Sequence, residues 1–390
     1  MPLPKLKLIA AAIAVATVLV PTVPAGARRV NAAALTLPSS AELKSERAQF
    51  MSLARRGVSD ARKLWWNGPK HWYNDRRNDH DRYPLATIWS IVPQFEAINA
   101  IAIAQPTKSH RKAVTTFARK AETYFDRSLA PSGGYAPYPS PRGGQERVWF
   151  DDNGWWGIAF VDAYRATHSS RYLKDAAKAL EFSMRRGWAK DGGLWWDTSH
   201  THKAGEALAS NSALAAMLYE ATHKSTFLTQ ARRLISWGDA HLWNSAARLY
   251  ARSDSDSTPM PYVEGPMIGA HETICRAAND ATACARAETL AETALNRFGE
   301  DVNHGPQYDT IYLRWMLDLS AHDQDSRWYA LAYRNAHRAL DNARDSHGIF
   351  TRAWDGGSIT QHQSRPGMVQ THAASVALLA WLAAAPLPPG

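Results

Sequence analysis

The chain is poor in the residues and patterns that mark redox, nucleotide-dependent or metal-caged proteins. Only two cysteines occur in 390 residues, Cys275 and Cys284. They lack neighbours in any metal-ligand spacing, so a local disulfide closing a helix-to-helix loop is expected, with free buried thiols as the alternative. His200 and His202 have no third ligand close by, and a solvated loop is expected there. No G-x-S-x-G elbow, P-loop or dinucleotide fingerprint appears, and neither a cofactor nor a metal is expected. Strand-like alternation of Val and Ile is nearly absent, which argues against a β-fold. No low-complexity linker divides the chain. The net charge of +9 is scattered, without a dense basic arm, so nucleic acid is not an expected partner.

Long apolar runs are missing too. Leu8 to Val20 is the notable one, and its 13 residues are too few to cross a bilayer comfortably. With Lys5 and Lys7 before it and Ala25-Gly26-Ala27 after it, the pattern is that of an export signal. The expected division is a signal peptide over 1–27 and one domain over 28–390, with an uncleaved anchor as the alternative. Removing that signal takes two lysines and no acid, leaving +7. A secreted or envelope-associated monomer that meets an anionic envelope or a phosphorylated glycan suits this charge.

What is present is helix after helix. Twelve stretches carry a helical pattern, near 42–65, 84–104, 108–128, 151–167, 170–186, 206–222, 226–242, 263–277, 281–297, 308–320, 326–344 and 370–384. They alternate between stretches charged on one face, such as Arg111 to Leu129, and stretches that are apolar or small nearly all round, such as Leu208 to Tyr219 and Ala373 to Ala385. A helix apolar on every side must be buried, and a one-sided helix can cover it. Six such pairs predict an all-α (α/α)6 barrel, with a stacked solenoid as the competing architecture. A loop recurs after the outer stretches: Gly133-Gly134-Tyr135, Gly192-Gly193-Leu194-Trp195-Trp196, Arg248-Leu249-Tyr250 and Gly348-Ile349-Phe350. Polar and aromatic residues gather where the buried helices begin, and in a barrel those ends converge on one mouth.

Tryptophan is plentiful, with 16 residues, and suits a solvent-lined aromatic cleft. The densest chemistry lies in Phe150-Asp151-Asp152-Asn153-Gly154-Trp155-Trp156, at the start of an apolar helix. One Asp there would serve as a helix cap; two in succession, followed by two indoles, exceed that need. Paired carboxyl groups about 5 Å apart are the equipment of a retaining glycosidase, one as nucleophile and one as proton donor. Side chains of helix neighbours diverge by about 100°, so Asp151 is expected just outside the helix. Close acids also separate in proton affinity, one ionised and one protonated.

These residues resemble glycoside hydrolase family 76, the endo-α-1,6-mannanases and their fungal wall-remodelling relatives. Besides Asp151-Asp152-Asn153-Gly154-Trp155-Trp156, the resemblance is carried by Gly192-Gly193-Leu194-Trp195-Trp196, Ser210-Asn211, Tyr262-Val263-Glu264-Gly265 with Ile268-Gly269-Ala270, and Tyr312-Leu313-Arg314-Trp315. It covers most of the chain from about residue 60 onward. It implies an (α/α)6 barrel and a retaining mechanism with Asp151 as nucleophile and Asp152 as acid/base. The chain departs from the family pattern at Val263-Glu264-Gly265, where Asn-Gln usually precedes the glycine, and at Asp309-Thr310, where a Lys-Gly pair is usual.

The expected substrate contacts are Trp155, Trp156, Trp195, Trp196, Asn211, Asp254, Glu264, Tyr308 and Asp309. Of Trp155 and Trp156, one is expected in the core, because helix neighbours point apart. Capping is the alternative for Asn211, and a solvated loop for Asp254. Glu264 and Asp309 are expected in the cleft, as added acids that alter glycan choice. The leading expectation is a secreted endo-acting enzyme that cuts α-1,6-linked mannan backbones. A transglycosylase of the same fold and a non-catalytic glycan-binding protein are the alternatives.

Overall fold

The computed structural model describes residues 35–77, 84–140, 147–362 and 365–389. The expected signal segment, 1–27, lies outside them. Among the described residues no helix is long and apolar enough to cross a membrane.

Twelve helices form in the predicted order. They are α1 (Ser40–Trp65), α2 (Ile88–Ala104), α3 (Lys108–Ala121), α4 (Phe150–Thr167), α5 (Ser170–Phe182), α6 (Gly205–Thr222), α7 (Ser225–His241), α8 (Pro261–Ala278), α9 (Ala281–Phe298), α10 (Pro306–Asp323), α11 (Ser326–Asn342) and α12 (Val369–Ala384). The even-numbered helices are the apolar ones, and nearly every residue of α2, α4, α6, α8, α10 and α12 is buried. Each packs on the next, and α12 packs back on α2. That closure makes a ring and rules out the open solenoid. The odd-numbered helices bury one face each and form the outer layer. The first of them, α1, packs chiefly on the last inner helix, so the two ends of the described chain close the barrel together.

The ring needs close helix approaches, and small residues supply them. A Cβ on Gly265 of α8 would stand 2.7 Å from the Tyr312 Cα of α10, so backbone meets backbone at this contact. At the far ends of α4, α6, α8 and α10, His168, His223, Asn279 and Gln324 take left-handed conformations. Each donates its N–H to a carbonyl of the last turn, which stops the helix.

The recurring loop is a short ribbon that carries the chain from an outer helix back to the next inner one. It appears as β1 (Trp66–Asn67) with β2 (Trp72–Tyr73), β3 (Phe125–Asp126) with β4 (Gly134–Tyr135), and β5 (Trp243–Asn244) with β6 (Leu249–Tyr250). Single bridges, Trp188 to Leu194 and Arg344 to Phe350, repeat it elsewhere. The repeat reflects turn chemistry: His71, Gly133, Gly193, Arg248 and Gly348 have positive φ at these turns.

A buried charge cluster spans the ring. Arg314 of α10 reaches Glu96 of α2 at 2.8 Å and Asp162 of α4 at 2.6 Å, and all three are almost fully buried. The expected disulfide is present: Cys275 of α8 and Cys284 of α9 are bonded across the α8–α9 turn. Their sulfurs and His322 are the one group of His, Cys, Asp or Glu side chains among the described residues close enough to share an ion, and the disulfide already engages both sulfurs.

Candidate active site

The starts of the inner helices converge on a cleft of about 300 Å3. Its walls come from five of them: Thr87 and Trp89 at α2, Trp149, Asp151 and Asp152 at α4, Glu206 at α6, Met260 and Tyr262 at α8, and Tyr308 at α10. Pro137, Trp196 and Arg252 enter from the loops leading into α4, α6 and α8.

Helix α4 begins at Phe150, so both aspartates lie within its first turn. This corrects the expectation that Asp151 stands outside the helix. The first turn of a helix faces out over its own end, so neighbours that diverge along the barrel wall both reach the cleft here. Nor do the aspartates serve as the helix cap. The cap residue is Trp149, which makes no side-chain cap bond. Asn153 ties the turn down instead, exchanging hydrogen bonds with the Tyr135 backbone and donating to the Trp149 carbonyl.

The two carboxyl groups differ in their surroundings. The Tyr262 hydroxyl donates to Asp151 Oδ2 at 2.7 Å, and the Trp155 indole N–H donates to the Tyr262 oxygen at 2.8 Å. Burial raises the Asp151 pKa to about 6, held there by the Tyr262 hydroxyl, backbone amides of the turn and the Trp196 indole, which favour the ionised form. Asp152 is pushed well above the ordinary carboxylate range, first by burial and then by the charge of Asp151. Of the two, Asp151 is the one favoured as the anion and Asp152 the one favoured as the acid.

Around the pair the walls are aromatic. Trp89, Tyr262 and Tyr308 meet in mutual ring contacts, with centroids 5.2 to 5.8 Å apart. Trp149 and Trp196 meet edge to face, and the Arg147 guanidinium lies over both rings while paired with Asp197. Arg252 donates to Glu206 at 2.8 Å.

Several expected contacts lie elsewhere. Trp155 and Trp156 are both fully buried, so neither indole lines the cleft. Trp156 turns outward to the α3 layer and donates to the Ala121 carbonyl, while Trp155 sits beneath Tyr262. Trp195 stacks on His200 away from the cleft, next to the Lys203 ammonium. Asn211 is buried and donates to the carbonyls of Phe150 and Ala207. Asp254 is exposed and accepts from the Lys203 amide. Glu264 is buried, with its carboxyl pushed well above the usual range by burial, and accepts the Tyr250 amide. Asp309 accepts the His304 and Gly305 amides. These two added acids hold loops and do not face the cleft. Of the expected contacts, Trp196 and Tyr308 line it. Trp89, Trp149, Glu206, Arg252 and Tyr262 were not expected there; apart from Trp149 and Arg252, they share a place in the first turn of an inner helix.

A closed ring of helix pairs, with two adjacent carboxyl groups of unequal proton affinity in an aromatic cleft at its mouth, is the build of a carbohydrate-active enzyme. Residues 109–384 match Glycosyl hydrolase family 76, so the chain belongs to that family and is a glycoside hydrolase. Among solved structures it is similar to a GH76 alpha-mannanase of Bacteroides thetaiotaomicron, at 19% identity over 86% of this chain and 95% of that one, with a TM-score of 0.76. It is also similar to the GH76A alpha-1,6-mannanase of Salegentibacter sp. HEL1_6, at 17% identity over 86% of this chain and 99% of that one, with a TM-score of 0.69. An inactive variant of that enzyme, with two consecutive aspartates replaced by alanine, was solved in complex with alpha-1,6-mannotetrose; it has 15% identity over 86% of this chain and 98% of that one, with a TM-score of 0.70. No curated protein matches the chain.

Proposed function

We propose that this chain is an exported, monomeric, retaining glycoside hydrolase that cuts within α-1,6-linked mannan backbones. The observation that carries the reading is the pair Asp151–Asp152, two adjacent cleft carboxyl groups, one favoured as the anion and the other as the acid. The similar alpha-1,6-mannanase, and its inactive variant in complex with alpha-1,6-mannotetrose, support the substrate class. The charged, apolar and small-residue segments within 1–27 support export.

In this reading an Asp151 oxygen attacks the anomeric carbon as the bond to the departing sugar breaks. Asp152 gives its proton to the leaving oxygen, and a covalent glycosyl ester to Asp151 remains. Asp152, now ionised, takes a proton from a water that attacks the same carbon and frees Asp151. Tyr262 holds the nucleophile in place. Trp149 and Trp196 offer faces for sugar rings, and Glu206 with Arg252 offers partners for hydroxyl groups.

Linear α-1,6-mannan digested by the purified protein, with products followed by mass spectrometry, tests the reading. Internal cleavage should yield a ladder of short oligosaccharides. Asp151→Asn and Asp152→Asn should each stay folded and lose activity by orders of magnitude. Near-normal turnover in either variant would remove the assignment, and release of mannose alone would replace internal cutting with end-wise trimming.

A further inference from the structure

A groove with no carboxylate in its walls runs down the barrel between α1 and α3. It encloses about 710 Å3 and is lined by Arg55 and Arg62 of α1, Lys112 and Lys120 of α3, and a floor that includes Trp66, Trp72 and Phe117. None of the four cations is paired with a carboxylate among the described residues; Lys120 donates to the Lys70 carbonyl, and the Arg62 guanidinium lies 3.0 Å above the Trp66 ring. Asp60, the acid on this part of α1, is taken by Lys63, and α3 contains no acid at all. Other outer helices are built differently. Arg171 of α5, Arg232 of α7, Arg286 of α9 and Arg327 of α11 each hold a carboxylate.

We propose that this groove docks the protein on the anionic headgroup layer of a lipid membrane. The cations, none of them paired with a carboxylate, suit headgroup phosphates; Trp72 and Phe117 beneath them are buried and only support the groove. One free phosphate could meet few of these cations at once, because Arg55 and Arg62 on α1, like Lys112 and Lys120 on α3, stand about 10 Å or more apart along their helices. The groove also adjoins the mouth. Tyr73, in its lining, accepts the Ala86 amide at 2.9 Å, and the next residue, Thr87, lines the cleft. A protein seated by this face therefore brings its cleft close to a glycan carried on the same membrane. Among the described residues no helix is long and apolar enough to insert, so this contact is a surface one that weakens with salt.

The test is flotation of the purified protein with phosphatidylcholine vesicles, with and without phosphatidylglycerol. The protein should float only with the anionic vesicles. Arg55→Glu, Arg62→Glu, Lys112→Glu and Lys120→Glu together should weaken that binding by on the order of a hundredfold or more. Hydrolysis of a soluble oligosaccharide should be unchanged. A second variant makes the same charge change elsewhere, at Arg186, Arg232, Arg233 and Arg297, and should still float. If the first variant fails to fold by circular dichroism, the four glutamine replacements take its place. Equal loss in both variants would reduce the effect to net charge and overturn the proposal. So would equal flotation without phosphatidylglycerol, or displacement by inorganic phosphate beyond that of chloride at matched ionic strength. The readout is binding, so it stands or falls separately from the mannan reading.

Discussion

The hydroxyl of Tyr262 donates to Oδ2 of Asp151 at 2.7 Å, and it is itself held by the Trp155 indole. The bond stabilises the carboxylate, so its loss should push the already raised Asp151 pKa further up. A hydrogen bond to a charged group is worth about 1.5–3 kcal/mol, which corresponds to a shift of roughly one to two pH units. Activity should rise with pH as Asp151 ionises near 6 and fall again as Asp152 loses its proton, with limbs that belong to the coupled pair. Tyr262→Phe should therefore move the acid limb of kcat/KM to higher pH and lower turnover about tenfold or more. An unmoved acid limb would show that Tyr262 only packs.

Trp196 and Trp155 separate two roles that the sequence presents alike. Trp196 lines the cleft, and Trp196→Ala should raise KM by about fivefold to tenfold, in line with roughly 1 kcal/mol for one aromatic stacking contact. Its melting temperature should change little. Trp155→Ala removes a fully buried indole and should cost about 3–5 kcal/mol of stability. Kinetics and thermal melts of both variants check this. The assignment fails if Trp196→Ala melts early while the kinetics of its folded fraction are normal.

The architecture was legible because each inner helix is apolar on all sides and each outer helix on one. That contrast survives without knowing where a helix starts. The cleft was less legible, because its membership turns on that start. Trp89, Asp151, Glu206 and Tyr262 are the second residues of their helices, and Asp152 and Tyr308 are third residues. Placing α8 at 263 and α10 at 308 made Glu264 and Asp309 second residues as well. The helices begin at Pro261 and Pro306, where proline suits the first turn. Both acids thus become fourth residues, aimed back at the preceding loop. Trp149 and Arg252 lie just before or outside a helix, and no periodicity marks them.

Arg314 should matter more for stability than any exposed charge. It is buried and bridges Glu96 and Asp162 from across the ring. Arg314→Met leaves buried Glu96 without its cation, while Asp162 keeps Arg165 at 3.3 Å, a change worth about 3–5 kcal/mol. The deficit should depend on pH with a definite sign. Glu96 is raised by burial from 4.5 to about 7, with Arg314 holding it down. A folded acid with a raised pKa keeps its proton where the unfolded chain has lost it, so its contribution to stability falls as pH rises from about 4.5 to 7. Removing the cation raises Glu96 further and carries that fall on to higher pH. Urea melts at pH 5 and pH 8 should show the variant closer to wild type at pH 5, and an equal deficit at both would mean that Arg314 acts by packing alone.

The anomeric outcome discriminates most sharply between ways of using the two aspartates. A retaining pair stands about 5–5.5 Å apart, whereas an inverting pair leaves about 6.5–9.5 Å for a water between carboxylate and sugar. Asp151 and Asp152 share one helical turn and face one cleft, and a second acid would have to come from the opposite wall to open the wider gap. Glu206 is the carboxylate available in the described cleft, and Arg252 already engages it. Two displacements at the same carbon restore the starting configuration, so the first product should carry the α anomer. Proton NMR within the first turnovers, before mutarotation, reads it directly. A β product would transfer the role of base to Glu206 and leave Asp151 or Asp152 as the acid alone.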